Sequence, residues 1–194
     1  MKRLLLILIL SLSFQTLTKA DDIRDFEIEG MSIGDSLLDF MSKEKIEKLK
    51  KTDYPNSKKF SRVSTNFPTM TTYEDTMIHF KTNDMKYIIH AVDGGFFYEN
   101  NNIKDCYKKK DNIVKDLSKL FPNLETKKRS VNHSYDNESL VDSFFIYFEN
   151  GGVIEISCTD WTDKVTKENN WVDNLAVNIY SDEFLKWLNN EAFD

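Results

Sequence analysis

The segment between Thr159 and Asn174 carries the side chains most typical of a ligand-binding loop in this sequence. Asp160 immediately precedes Trp161, and Trp171 is followed closely by Asp173. Tryptophan rings supply a large flat contact area, and carboxylates fix hydroxyl groups, so this pattern favours a glycan or small-ligand site. The competing interpretation is that both rings pack against the ends of the core, as tryptophan commonly does.

Two histidines form the second candidate for chemistry. His79 and His90 fall on the same face of a predicted β-hairpin, and Asp75 and Asp93 are near in sequence. Two imidazoles and a carboxylate are the raw material of a divalent-metal site. Because Lys81 belongs to the same predicted face, its charge would oppose a cation there. The pattern therefore favours polar side chains on the exposed side of the hairpin, and a hydrolase or metal-dependent enzyme is the alternative.

The remaining histidine, His133, lies in a polar loop beside Ser134 and Asp136. A catalytic triad is defined by spatial roles, so neighbours in sequence do not establish one. The sequence contains no GxSxG, HExxH, GxGxxG, Walker or EF-hand motif. We therefore assign no catalytic residue, cofactor or metal, and favour a non-enzymatic binding or protein-interaction module whose partner is another envelope protein or a small ligand.

The two cysteines, Cys106 and Cys158, are predicted to form a disulfide bond. Cys106 lies on the apolar stripe of a helix predicted over residues 102–121, and Cys158 lies in a strongly apolar strand. An even number of cysteines in an exported chain is typical of disulfide pairing. A reactive thiol or a metal thiolate is the alternative, although the sequence has no CxxC motif and no histidine close to either cysteine.

The amino terminus predicts export. Lys2 and Arg3 precede an apolar run from Leu4 to Leu10, and Ala20 offers a small residue at the expected cleavage site. This pattern indicates a signal peptide over residues 1–20 and a periplasmic or secreted protein, with an uncleaved anchor as the alternative. Cleavage leaves 23 basic side chains against 32 acidic ones, a net charge of −9. That charge argues against nucleic acid or an anionic membrane as the main partner.

The elements expected in residues 21–194 indicate a single α+β domain. Hydrophobic periodicity and turn residues predict two β-hairpins, a further strand and several helices. The predicted hairpins join 76–81 to 85–92 and 143–149 to 152–158; a strand covers 175–180, and helices cover 37 onward, 43–50, 102–121 and the residues after Ser181. The expected fold is an antiparallel sheet built from hairpins, with helices packed on one face and one disulfide.

In the second hairpin, Asn150 and Gly151 form the pair best suited to a two-residue type I′ turn. That turn would place Phe145 and Tyr147 on the same face as Ile154, Ile156 and Cys158.

Several segments resemble a group of small exported proteins of AT-rich marine alphaproteobacteria. They are FEIEGMSIGDSLLDF at 26–40, DGG at 93–95, Cys106 leading into DLSKLF at 116–121, CTDW at 158–161 and SDEFLKWL at 181–188. The resemblance spans most of the predicted mature chain. It implies a bacterial, periplasmic setting and the cysteine pair, and it implies no activity and no catalytic residue.

Overall fold

The computed structural model describes residues 22–49, 51–65, 72–99 and 102–193, so the predicted signal peptide lies outside the described residues. Eight antiparallel strands form one sheet in the order β1-β2-β3-β4-β8-β7-β6-β5. The strands are β1 (Lys51–Asp53), β2 (Phe60–Thr65), β3 (Asp75–Lys81), β4 (Ile89–Tyr98), β5 (Glu125–Asn132), β6 (Leu140–Tyr147), β7 (Val153–Asp160) and β8 (Asp173–Tyr180). The helices are α1 (Lys43–Lys48), α2 (Ile103–Leu120), α3 (Asp163–Asn169) and α4 (Asp182–Asn190), with short 3-10 turns at Ile23–Asp25 and Leu37–Asp39. The predicted antiparallel α+β class is confirmed.

One face of the sheet is covered by α2 and by the amino-terminal segment 22–49. We call it the disulfide face, and it carries Leu175, Val177 and Ile179 of β8. Register aligns one buried aliphatic residue from each of six neighbouring strands into a single row: Val63, Ile78, Val92, Ile179, Ile154 and Ile146. Each of these side chains is fully buried, so this row forms the centre of the core.

The disulfide between Cys106 and Cys158 is confirmed, and it ties α2 to β7 across this core. Both cysteines are completely buried, as expected from their places on the apolar stripe of α2 and in the apolar strand β7. The helix itself covers Ile103–Leu120, within one residue of each end of the helix predicted from periodicity.

The opposite face carries Ala176, Asn178 and Tyr180 of β8 and is called the cleft face below. Helix α4 packs on this face, where Phe184 lies 5.9 Å from Tyr180 and Trp187 lies 4.8 Å from Phe60, measured between ring centroids. Helices therefore lie on both faces, whereas the sequence indicated one. Each face of the sheet carries an apolar patch. Helix α2 covers the patch on the disulfide face, and α4 covers the patch at one end of the cleft face.

The loop between β3 and β4 is longer than predicted. It runs from Thr82 to Ile88, because the carboxylate of Asp84 accepts the backbone N–H groups of Lys86 and Ile88 and Tyr87 adopts a left-handed conformation. A shift in register between His79 and Phe80 then places Ala91 opposite His79, on the cleft face.

The register of the second hairpin differs by one residue from the prediction. Tyr147 pairs with Val153, and Gly151 takes a positive φ within a loop of three residues, Glu149 to Gly151. Because adjacent side chains in a strand point to opposite faces, this shift exchanges the faces. Phe145 and Tyr147 therefore share the cleft face with Val153 and Glu155, while Ile154, Ile156 and Cys158 lie on the disulfide face.

Strands β1, β2 and β5 and helix α3 were not predicted. Strand β5 shows no alternation of apolar and polar residues, because it is the sheet edge and its side chains are exposed apart from the half-buried Val131. Its Lys127, Lys128 and Arg129 are typical of an edge strand that resists pairing with another chain.

Within the described residues, the longest helix is too polar to cross a membrane, and the others are both short and polar.

Candidate ligand-binding cleft

A cluster of aromatic rings lies at the end of the cleft face remote from α4. The ring centroids of Trp161 and Trp171 are 4.9 Å apart, and Tyr135 lies 4.8 Å from Trp171. His133 packs 4.4 Å from Trp161. Trp171 is 40% exposed and Tyr135 is 53% exposed, so the cluster presents its rings to solvent. The two tryptophans of the predicted site are therefore brought together.

Short elements around α3 hold the two tryptophans in place. Trp161 follows the end of β7, and its backbone N–H donates to the carboxylate of Asp173 at 2.9 Å. Thr162 caps the first turn of α3, whose last turn ends at Asn170 in a left-handed conformation. The chain then reverses, so that Trp171 returns beside Trp161.

The loop between β5 and β6 brings Tyr135 and His133 to the same place. Asp136 accepts hydrogen bonds from the backbone N–H and the hydroxyl of Ser139 and from the hydroxyl of Thr162, which joins this loop to α3. Although desolvation opposes the effect, these hydrogen bonds lower the pKa of Asp136 to about 2. Burial lowers the pKa of His133, in keeping with its packing against Trp161.

The two predicted carboxylates do not line the aromatic cluster. Asp160 alternates with Cys158 along β7 and so belongs to the disulfide face. Asp173 is fully buried and accepts a hydrogen bond from the backbone N–H group of Trp161. Burial raises the pKa of each of these carboxyl groups. Asp173 thus supports the site by fixing the backbone at Trp161.

The aromatic cluster opens into a cleft on the exposed part of the cleft face. A hollow of about 250 Å³ lies against Trp161 and Trp171, and it shares Phe97 and Asn174 with an adjoining hollow of about 260 Å³. The second hollow extends along β4 and β8 towards Asp93 and Asn178. Because the two hollows adjoin at Phe97 and Asn174, they are together called the groove, which has an aromatic end and a polar end.

The polar end is built by a cross-strand row. Asp93 of β4 pairs with Asn178 of β8, which pairs with Glu155 of β7. Glu155 accepts hydrogen bonds from the hydroxyls of Ser143 at 2.8 Å and Tyr180 at 3.3 Å and from the Asn178 side chain. Burial raises the pKa of Glu155 in spite of these hydrogen bonds.

His79 is buried beneath α4, which differs from the exposed position expected from the sequence. Only 2% of the residue is exposed, and its ring lies 5.0 Å from that of Phe184. Both ring nitrogens are engaged, since Nδ1 is 2.7 Å from the hydroxyl of Tyr54 and Nε2 is 2.7 Å from Asp93. His79 therefore has no free nitrogen for a metal ion or a substrate.

His90 shares the cleft face with His79, as predicted, and is also partly covered by α4. Its Nδ1 lies 3.2 Å from the hydroxyl of Ser181, and its ring packs 5.1 Å from that of Phe60. Desolvation and then the nearby Lys81 lower the pKa of His90. Within the ranges that the structure describes, no three His, Cys, Asp or Glu side chains are grouped to hold a metal ion.

Sequence reasoning missed Tyr135, Phe97, Asn174, Asn178 and Glu155 as members of the site. They come from four separate strands or loops that only the sheet order brings together. Two signals were visible in the sequence: a large aromatic residue in the polar loop at 132–136, and a run of three aromatic residues after the Gly94-Gly95 pair.

Comparison with known proteins adds no relative to this description. No protein-family model matches the chain, and no curated protein or solved structure is significantly similar to it.

Proposed function

We propose that the protein is a non-enzymatic binding module of the bacterial periplasm that holds a small ligand in the groove on its cleft face. The observation that carries the proposal is the exposed aromatic cluster of Trp161, Trp171 and Tyr135. Large aromatic side chains are normally covered in a folded protein, so exposed rings grouped beside a groove favour a binding role.

The groove suits a ligand with one flat apolar side and at least one hydrogen-bonding group. Trp171 and Phe97, which are 40% and 45% exposed, offer ring surface at one end. Asn174 and Asn178 offer amide groups along the floor, and Asp93 offers a carboxylate. A glycan or a ring-bearing small molecule has this combination of surfaces.

Support for a binding role rather than an enzymatic one comes from the state of the candidate catalytic groups. His79 is buried, and both of its ring nitrogens are engaged by neighbouring side chains. General acid–base catalysis needs a group within reach of the substrate proton, and His79 lies beneath α4. The disulfide supports export, because such bonds persist in oxidising compartments.

Tryptophan fluorescence tests the proposal. The mature protein is titrated with a panel of neutral saccharides, amino acids and ring-bearing amines, and emission is compared with that of Trp171→Ala. Trp187 is almost completely buried under α4 and provides a constant background. We expect a saturable change with at least one ligand in the wild type and its loss in Trp171→Ala. The matched control Leu120→Ala removes an exposed apolar side chain from α2, away from the groove, and should bind normally.

A flat titration across the whole panel, in protein with the fold and the disulfide intact, would count against ligand binding.

The intact mass of protein recovered from a bacterial periplasm tests the location. A chain beginning at Asp21 and two hydrogens lighter than its reduced form is the expected result. A full-length chain or free thiols would contradict export and cleavage.

A further inference from the structure

Two paired residues at the polar end of the groove each carry a hydrogen-bond acceptor that has no partner among the described residues. Asp93 and Asn178 lie directly opposite each other on β4 and β8. Each keeps its Oδ1 atom buried and without a hydrogen-bond partner. Leaving a buried acceptor unsatisfied costs about 1–3 kcal/mol, so adjacent acceptors of this kind call for a donor from outside the protein.

Neighbouring groups hold both side chains in this orientation. The amide of Asn178 donates to Glu155 and is only 7% exposed, which leaves its oxygen as the free group. The other oxygen of Asp93 is 2.7 Å from Nε2 of His79. Neither side chain can turn its free oxygen to a protein donor without losing the hydrogen bond that it already makes.

His79 is in turn fixed by Tyr54. Burial raises the pKa of the Tyr54 hydroxyl, which therefore keeps its proton, and its oxygen lies 2.7 Å from Nδ1 of His79. Nε2 of His79 lies 2.7 Å from Oδ2 of Asp93. These two contacts hold the His79 ring in place and fix the orientation of the Asp93 side chain.

The rest of the groove offers no positive charge. The described residues that line its two hollows include Asp75 and Asp93 and no lysine or arginine. The same surface carries the rings of Phe97 and Trp171, whose faces attract cations. Acidic acceptors beside exposed rings are complementary to an ammonium group attached to an apolar or ring-bearing body.

We propose that the groove binds a ligand bearing a protonated amine, whose N–H groups bridge Asp93 and Asn178 while its apolar part lies against the aromatic cluster. This inference rests on the proposed function, because it names the chemical class of ligand for the same groove. A neutral polyol supplies donors but no positive charge for this acidic and aromatic surface.

Calorimetric titration with matched pairs tests the inference. Benzylamine is compared with benzyl alcohol, and 1,4-diaminobutane with 1,4-butanediol, because each pair differs chiefly in amine against hydroxyl. We expect each amine to bind the wild type at least tenfold more tightly than its alcohol. Asp93→Asn should remove that difference, whereas Asp116→Asn, which neutralises an exposed carboxylate on α2, should preserve it. Raising the salt concentration from about 0.05 to about 0.5 M should weaken amine binding alone, and this readout needs no variant.

Equal affinity for amine and alcohol in the wild type overturns the inference, as does an absence of binding by all four probes. If another ligand still changes tryptophan emission in a manner that depends on Trp171, the proposed function stands and only the ligand class is wrong. If the amines bind through Asp93 but Trp171→Ala has no effect on their affinity, the ligand class stands and the aromatic cluster does not contribute to binding.

Discussion

Removal of the disulfide should destabilise the protein by about 4 kcal/mol. Cys106 and Cys158 are 52 residues apart. Cross-linking them lowers the conformational entropy of the unfolded chain, and a loop of this length makes that worth about 4 kcal/mol of stability. Native domains are typically stable by about 5–15 kcal/mol, so the loss would be a large share of the total. For a chain of this length it corresponds to a fall in Tm of roughly 10 °C.

The assay is urea denaturation of the wild type, of the wild type held reduced, and of the double variant Cys106→Ala/Cys158→Ala. The reduced protein isolates the cross-link, because its side chains are otherwise unchanged. The double variant adds the small cost of two missing sulfur atoms in a fully buried place. Both forms should also show a steeper dependence on urea, since their unfolded chains expose more surface.

Val114→Ala is the matched control for packing between α2 and the sheet, because Val114 is a partly buried residue of the same helix. Its effect should be about 1 kcal/mol and similar with the disulfide oxidised or reduced. A loss of less than about 1 kcal/mol on reduction would refute the loop-closure argument. It would mean that α2 and β7 already stay together in the unfolded chain.

Three further changes test separate parts of the structure. Gly94→Ala should destabilise the protein by about 1–3 kcal/mol in thermal denaturation, because a Cβ atom would meet the ring of Tyr73 at 2.6 Å; an unchanged Tm would show that the ring moves freely. Asp136→Asn should lower the Tm at pH 7 but make no difference near pH 2. The folded pKa of Asp136 is about 2, below its ordinary value, so its stabilising contribution is present above about pH 4 and is lost as the pH falls towards 2. Glu155→Gln should be better tolerated at pH 7 than at pH 4 in urea denaturation. Burial raises the pKa of Glu155, so the carboxyl group stabilises the fold most when protonated and less as the pH rises; an effect independent of pH would contradict this account.

Local patterns in the sequence were sufficient for the elements whose residues interact with near neighbours. The stripe of α2 predicted its length, because helical periodicity depends only on spacings of three and four residues. The predicted helices α1 and α4 begin directly after Ser42 and Ser181, whose hydroxyls accept backbone N–H groups within one turn. The disulfide followed from an even cysteine count and two apolar surroundings.

Strand pairing was predicted less well, because register depends on loop conformation. One extra residue in the loop at Gly151 exchanged the two faces of the second hairpin and brought Glu155 to the cleft face. The same kind of shift beside His79 placed Ala91 on that face. A shift of one residue leaves the interactions between near neighbours in sequence almost unchanged, so local patterns do not reveal it. The residues Val153–Cys158 are also apolar enough to fit either register.

The sequence by itself determined helices α1, α2 and α4, the hairpin positions, the cysteine pair and the presence of two tryptophans in one polar segment. Only the tertiary structure decided that α4 covers one end of the cleft face, that His79 is buried against Tyr54 and Asp93, and that Asp93 meets Asn178. The physical reason is that these last contacts join residues distant along the chain. Their geometry follows from the order and register of the whole eight-stranded sheet, and no local preference specifies that.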